Sequence, residues 1–382
     1  MTQPEDPDFV AGELNALLPG RRSVPSTDLA RLEHWLEAMV RNRASDLLLV
    51  AGLPPTLRLE GGLKPLDEGP LDGVDVEDAV LPALPPHARQ RYEQTHIVDA
   101  SLKLAAFGRF RVNLHRERGR AAAAIRALPT KIPTLDSLNL PATISVLTSI
   151  QHGLVLIGGA TGSGKTTTLA ALIGEINRHH SRHIITIEDP IEYEHAHVRS
   201  IVEQVEIGID APDFPTALRS AVRQAPDVIV VGEMRDPETM RIALAAAETG
   251  HLVLSTIHTT DVASTVARIA DGFPVERQNT IRQELAMGLS AVMTQTLLPR
   301  LGGGRIPAAE LLLVGYGARQ HIRKNALQHL HQEITITRKA GSFTLEECLV
   351  SLVKRGLVDR HEAALRAGHL NDFESAMTAA GL

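Results

Sequence analysis

Residues Gly159-Ala160-Thr161-Gly162-Ser163-Gly164-Lys165-Thr166 satisfy every fixed position of the pattern G-x-x-x-x-G-K-[ST]. Such a loop suits phosphate chemistry for definite reasons. Glycines let backbone amides turn inward around a phosphate, and a helix starting there adds positive potential. Lys165 would bridge the β- and γ-phosphates of ATP, and the Thr166 hydroxyl would ligate Mg²⁺. Thr167, where a helical run to Asn177 begins, is counted with the nucleotide-binding residues. A glycine-rich turn without a ligand is the alternative. The apolar strand Leu154–Ile157 before the loop and the helix after it argue for the phosphate reading.

Three further stretches carry groups that phosphoryl transfer to water needs. Ile184-Ile185-Thr186-Ile187-Glu188-Asp189-Pro190-Ile191-Glu192 sets carboxylates just past an apolar strand, where one could orient and deprotonate the attacking water. Asp227-Val228-Ile229-Val230-Val231-Gly232-Glu233 is a second strand ending in an acid, placed to reach Mg²⁺ directly or through water. Leu252 to Thr260 closes a third strand in hydroxyls and His258, which could bond a γ-phosphate, relay nucleotide state to a neighbouring element, or simply be a satisfied polar residue. Arg219, Arg223 and Arg235 cluster near the second acid, and Arg109, Arg111, Arg116 and Arg118 form another group. Arginine supplied by a neighbouring subunit can offset charge on a transferring phosphoryl group, although a solvated charged face has the same composition.

These groups need a scaffold. The short apolar runs Leu154–Ile157, Ile184–Ile187, Val228–Val231 and Leu252–Ser255, separated by helix-length segments, predict a mainly parallel sheet buried on both faces. Leu29 to Val40 has helical periodicity after the capping cluster Ser26-Thr27-Asp28, and Asp46–Val50, Thr56–Leu59 and Phe107–Leu114 read as strands. Residues 27–128 are therefore expected to form a small α+β domain, 129–145 a linker around Pro133, and 146–382 an α/β domain ending in helices. Thr344 with Glu347 and Asp359 with Glu362 have capping-box spacing. Residues 1–26, with Pro4, Pro7, Pro19 and Pro25 among acids, read as a mobile tail with a helical turn around Glu13 to Leu18.

Composition removes other classes. The 382 residues carry 39 Lys and Arg against 45 Asp and Glu, a formal charge of −6 that gives no support for a nucleic-acid partner. Only seven Phe, three Tyr and one Trp are available, too few for a base-stacking platform. The sole cysteine, Cys348, excludes an internal disulfide and a zinc site of paired CxxC motifs. No apolar run reaches the ~18–20 residues of a membrane-spanning helix, and the acidic start is not a signal peptide. The expected compartment is the cytoplasm, with any membrane contact peripheral.

The succession of Ala160–Thr166, Thr186–Glu192, Gly232-Glu233-Met234-Arg235-Asp236 and Ser255–Thr259 resembles the secretion-ATPase superfamily, most of all the PilT-type ATPases that retract type IV pili. Ala44-Ser45-Asp46-Leu47 and Gly108-Arg109-Phe110-Arg111-Val112-Asn113 are similar to that family's N-terminal region, so the likeness covers roughly residues 27–360. It implies a PAS-like small domain ahead of a RecA-like P-loop ATPase domain. Glu188 to Glu192 would be the acidic box, with Glu192 as general base, Glu233 the Walker B acid and His258 the histidine-box residue. Arg109 or Arg111, with Arg223 or Arg235, would contact nucleotide as neighbouring domains close. The resemblance further implies a homohexamer, ATP and Mg²⁺ as cofactors, and an inner-membrane pilus platform protein as partner at the cytoplasmic face.

One stretch departs from the family. Retraction ATPases carry A-I-R-N-L-I-R-E near the C-terminus, where this chain has Gly317-Ala318-Arg319-Gln320-His321-Ile322-Arg323-Lys324. An accessory retraction paralogue and a type IV secretion ATPase are thus the alternatives within the class. A nucleotide-binding regulator that does not hydrolyse is the alternative from another class.

Overall fold

The computed structural model describes residues 27–59 and 61–382, so the expected tail at 1–26 and Ser26 of the capping cluster lie outside the described residues. Between Ala127 and Leu128 the chain divides into two compact units.

The first unit holds helices α1 (Thr27–Arg41), α2 (Gly73–Val80) and α3 (Pro86–Thr95). Its strands are β1 (Asp46–Val50), β2 (Thr56–Leu59), β3 (Gly62–Pro65), β4 (Ile97–Leu104), β5 (Gly108–Glu117) and β6 (Arg120–Ala127). The strands form an antiparallel sheet in the order β3-β2-β1-β6-β5-β4. Leu32, Trp35, Leu36 and Met39 recur at helical spacing on α1 and are fully buried. They share a core with Phe110, Val112 and Leu114, alternate residues of β5. That alternation leaves Arg109 and Arg111 on the other face of the strand.

The second unit is built on β7 (Gly153–Gly158), β8 (His183–Glu188), β9 (Ile201–Glu206), β10 (Val228–Val231), β11 (Leu252–Ile257), β12 (Leu289–Pro299) and β13 (Arg305–Leu313). They pair in the order β13-β12-β7-β11-β10-β8-β9, and every pairing is parallel except the β12–β13 hairpin. Every residue of β7, β10 and β11 is buried, as the continuous apolar runs require.

Helices cover both faces: α4 (Lys165–His179), α5 (Phe214–Ala221), α6 (Pro237–Glu248), α7 (Val262–Asp271), α8 (Val275–Gly288), α9 (Tyr316–Arg323), α10 (Leu330–Ile336), α11 (Leu345–Lys354), α12 (Arg360–Ala364) and α13 (Leu370–Ala379). Successive strand residues serve different cores. Leu154 and Leu156 pack with residues of α5 to α8, whereas Val155 and Ile157 pack with α4 and α11 to α13. Cys348 lies in the latter core, where burial pushes its thiol up to about 11.

Three expectations meet differences. The stretch expected as a linker is packed: Leu135, Leu140 and Ile144 are buried in the second unit's core. The β12–β13 hairpin extends the sheet where no strand was expected. Thr344 and Glu347 do form a reciprocal capping box, but Asp359 acts alone, accepting from the amides of His361 and Glu362. In the departing stretch, Arg319 points back to the end of α8 and donates to the Met287 carbonyl at 2.6 Å.

Candidate nucleotide-binding and active site

The phosphate loop leaves the end of β7 and enters α4 with Gly164 as the capping residue in the left-handed region, at φ 90°. A side chain on Gly164 would strike the amide of Gln295, and one on Gly159 would strike Ser163 and the Gln295 carbonyl. The loop therefore needs glycine at both positions, and the space it keeps clear is a cradle of backbone amides. Ala160, Thr161 and Gly162 at its crest are exposed. The Ser163 hydroxyl is buried with no hydrogen-bond partner among the described residues.

Lys165 is buried and turns back over its own loop, donating to the carbonyls of Gly159 at 2.8 Å and Ala160 at 3.0 Å. Burial lowers its pKa, while the charges of Glu233 and Glu192 pull the other way. Both acids therefore sense the lysine. Thr166 is half-buried and its hydroxyl has no partner among the described residues. Thr167 shares a hydrogen bond of 3.1 Å with the Tyr193 hydroxyl. A cleft of about 370 Å³ runs along Gly164 and Thr167, with Asn139, Arg300 and Arg305 on its walls.

Glu188, at the end of β8, is engaged by its surroundings. Its Oε1 accepts from the Thr186 hydroxyl at 2.7 Å and from the Gln204 amide at 3.2 Å. Burial raises its pKa, partly offset by those bonds and by the backbone amide of Glu192. Strand β9 supports the rest of the acidic loop. Gln204 also donates to the Tyr193 carbonyl at 2.9 Å, and the buried Glu206 accepts from the Ile191 amide at 3.2 Å.

Glu233 follows β10, where Gly232 runs so close to β8 that a Cβ would sit 3.1 Å from the Ile187 carbonyl. Hydroxyls of β11 fix this strand end: Ser255 donates to the Val231 carbonyl at 2.7 Å and Thr256 to the Gly232 carbonyl at 2.6 Å. The Glu233 carboxylate is then held from both sides, by Arg235 at 2.8 Å and by His258 Nε2 at 3.0 Å. Burial works against the charged form, but the bonds and charges of Arg235 and His258 prevail and hold its pKa below the ordinary value. His258 is thus brought to Glu233.

Arg223 is exposed just past α5. Arg109 and Arg111 lie on β5 of the first unit, where Arg111 pairs with Asp99 at 3.6 Å.

Sequence reasoning missed Gln295 of β12. Its Nε2 donates to the Ser163 carbonyl at 2.7 Å, and its Oε1 accepts from the Thr168 hydroxyl at 2.8 Å. It also missed Gln204, Glu206 and Tyr193. The one available signal was the β-branched Ile201, Val202 and Val205 mixed with polar Glu203, Gln204 and Glu206 downstream of the acidic loop.

Residues 121–363 match the family described as Type II/IV secretion system protein. The type IV pilus retraction ATPase PilT of Pseudomonas aeruginosa is 40% identical over 324 residues, which is 85% of this chain and 94% of that protein. The chain belongs to this family. Within the family, the type IV pilus ATPase PilU of the same organism is 37% identical, covering 89% of this chain and 90% of its own length. A crystal structure of the pilus retraction motor PilT with bound ADP superposes with a TM-score of 0.82 at 42% identity, covering 90% of this chain and 98% of that one. The mixed α/β architecture is thus that of the family.

Proposed function

We propose that this chain is an ATP-hydrolysing motor that powers type IV pilus retraction. The observation that carries the chemistry is the meeting of Lys165 with the charges of Glu192 and Glu233, and of Glu233 with Arg235 and His258. The likeness to PilT over nearly all of that protein supports the retraction role.

In this reading the loop amides of Gly159 to Lys165 hold the phosphates, and Lys165 exchanges its two carbonyl partners for β- and γ-phosphate oxygens. Thr167 and the cleft beside it take the sugar and base. Glu192 orients the attacking water and accepts its proton. Glu188, already committed to Thr186, Gln204 and the Glu192 amide, positions that base. His258 and Arg235 orient Glu233. The Thr166 hydroxyl and the Glu233 carboxylate are hard oxygen donors that fit Mg²⁺, which when bound offsets charge on the phosphate oxygens.

We assign the first unit as a PAS-like domain (27–128) and the second as a RecA-like ATPase domain (146–382) whose core also takes in residues of 129–145. A homohexamer would let Arg109, Arg111 and Arg223 reach a neighbour's nucleotide, and the ring would act on an inner-membrane platform protein from the cytoplasmic face. No helix among the described residues is long and apolar enough to cross a membrane, so the contact would be through that protein.

The test is to count surface pili in cells whose chromosomal copy carries Lys165→Ala. Excess pili with lost surface motility is the expected result. Unchanged pili would favour the second reading, an accessory motor, which the comparable likeness to PilU and the departure at Gly317–Lys324 support.

A further inference from the structure

We propose that His331, His369 and Asp372 form a surface site for a divalent transition-metal ion of the zinc class, separate from the phosphate loop. The residues come from two helices. His331 is in the first turn of α10, His369 caps the start of α13, and Asp372 lies in the first turn of α13. The two imidazole rings face each other with centroids 4.1 Å apart and a tilt of 41°. His331 Nε2 is 3.7 Å from Asp372 Oδ2, and one ligand atom from each residue lies within 4.8 Å of the other two. With metal–ligand bonds of about 2.0–2.2 Å, neighbouring donors around tetrahedral zinc stand roughly 3.3 Å apart, so small side-chain rotations complete the set.

The backbone is rigid where this matters. Leu330, beside His331, and Phe373, beside Asp372, are fully buried. The His369 amide donates to the buried Glu346 carboxylate at 2.9 Å. The side chains themselves reach solvent, leaving room for water as a further ligand. Two imidazole nitrogens with one carboxylate select zinc, nickel or cobalt over Mg²⁺, which prefers oxygen donors throughout. Such an ion would staple α10 to α13, in the region that follows α9 with its Arg319 and Arg323.

The experiment titrates tag-free, full-length protein with ZnCl₂ against a chromophoric zinc chelator in excess Mg²⁺, alongside His369→Ala and Asp372→Asn. The wild type is expected to take up a zinc equivalent that Mg²⁺ does not displace, and both variants to bind it at least about tenfold more weakly. Amide hydrogen exchange supplies a second readout: zinc should slow exchange in 370–379 in the wild type and leave it unchanged in the variants. Asp372 is largely exposed, so Asp372→Asn should unfold at the wild-type temperature without zinc. Equal zinc stoichiometry and affinity in all three proteins, or exchange in α13 that zinc does not slow, would overturn the proposal.

Discussion

Gln295 reaches from β12 into the phosphate loop and donates its side-chain amide to the Ser163 carbonyl at 2.7 Å. The same side chain accepts from Thr168, so one residue fixes both the loop and the first turn of the helix that follows it. The loop's shape is thereby set by a strand far away in sequence as well as by its glycines.

Removing that clamp should be costly. Gln295→Ala leaves the buried Thr168 hydroxyl and Ser163 carbonyl without partners, a loss of about 2 kcal/mol shared between folding stability and ADP affinity. Thermal unfolding and fluorescent-ADP titration measure the two parts. If both stay at wild-type values, the clamp does not position the loop.

The Glu233 pair makes a prediction about pH. Its folded pKa lies below its unfolded value, so its contribution to stability is present above the unfolded pKa and is lost as pH falls through the folded one. Arg235→Ala removes the strongest compensation for burial, so the carboxylate should protonate at higher pH. The acid limb of kcat/KM should move upward in Arg235→Ala, and by less in His258→Ala. An acid limb that stays put in both variants would mean that another group titrates there.

Two neighbouring acids should respond differently to the same change. Glu192→Gln should retain ADP binding and lose phosphate release by about 10²–10⁴-fold, the usual contribution of a positioned general base. Glu188→Gln should lose less activity and unfold at no lower temperature, because a glutamine oxygen can still accept from Thr186 and Gln204 while the buried negative charge is removed. Wild-type turnover in Glu192→Gln would transfer the role of base elsewhere.

Shared sites are open to a mixing experiment. Arg223→Ala and Lys165→Ala proteins, each inactive alone, should regain some ATPase activity in mixed rings if Arg223 acts on a neighbour's nucleotide. No recovery at any ratio would confine Arg223 to its own subunit.

Much of the second unit was legible in the sequence because its central strands are buried on both faces, so β7, β8, β10 and β11 announce themselves as apolar runs. The acids followed, since strand ends are where the runs stop. Strands β9 and β12 were harder for a physical reason. Gln204, Glu206, Thr294 and Gln295 interrupt them with polar side chains, and those side chains hold the acidic loop, the phosphate loop and Glu310. Residues that serve a site from beneath break the pattern by which their strand would be recognised. Likewise, Leu135, Leu140 and Ile144 lie too irregularly around Pro133 and Pro141 to read as core, although the fold buries them.

The sealed thiol of Cys348 has a practical outcome. At 3% exposure and with its acidity suppressed, it should ignore maleimide reagents under native conditions. The chain is therefore a ready-made labelling background: dyes attached through one cysteine introduced on β5 and another on an exposed turn of the second unit would report energy transfer between the two units through the ATP cycle, with no competing native fluorophore site to remove.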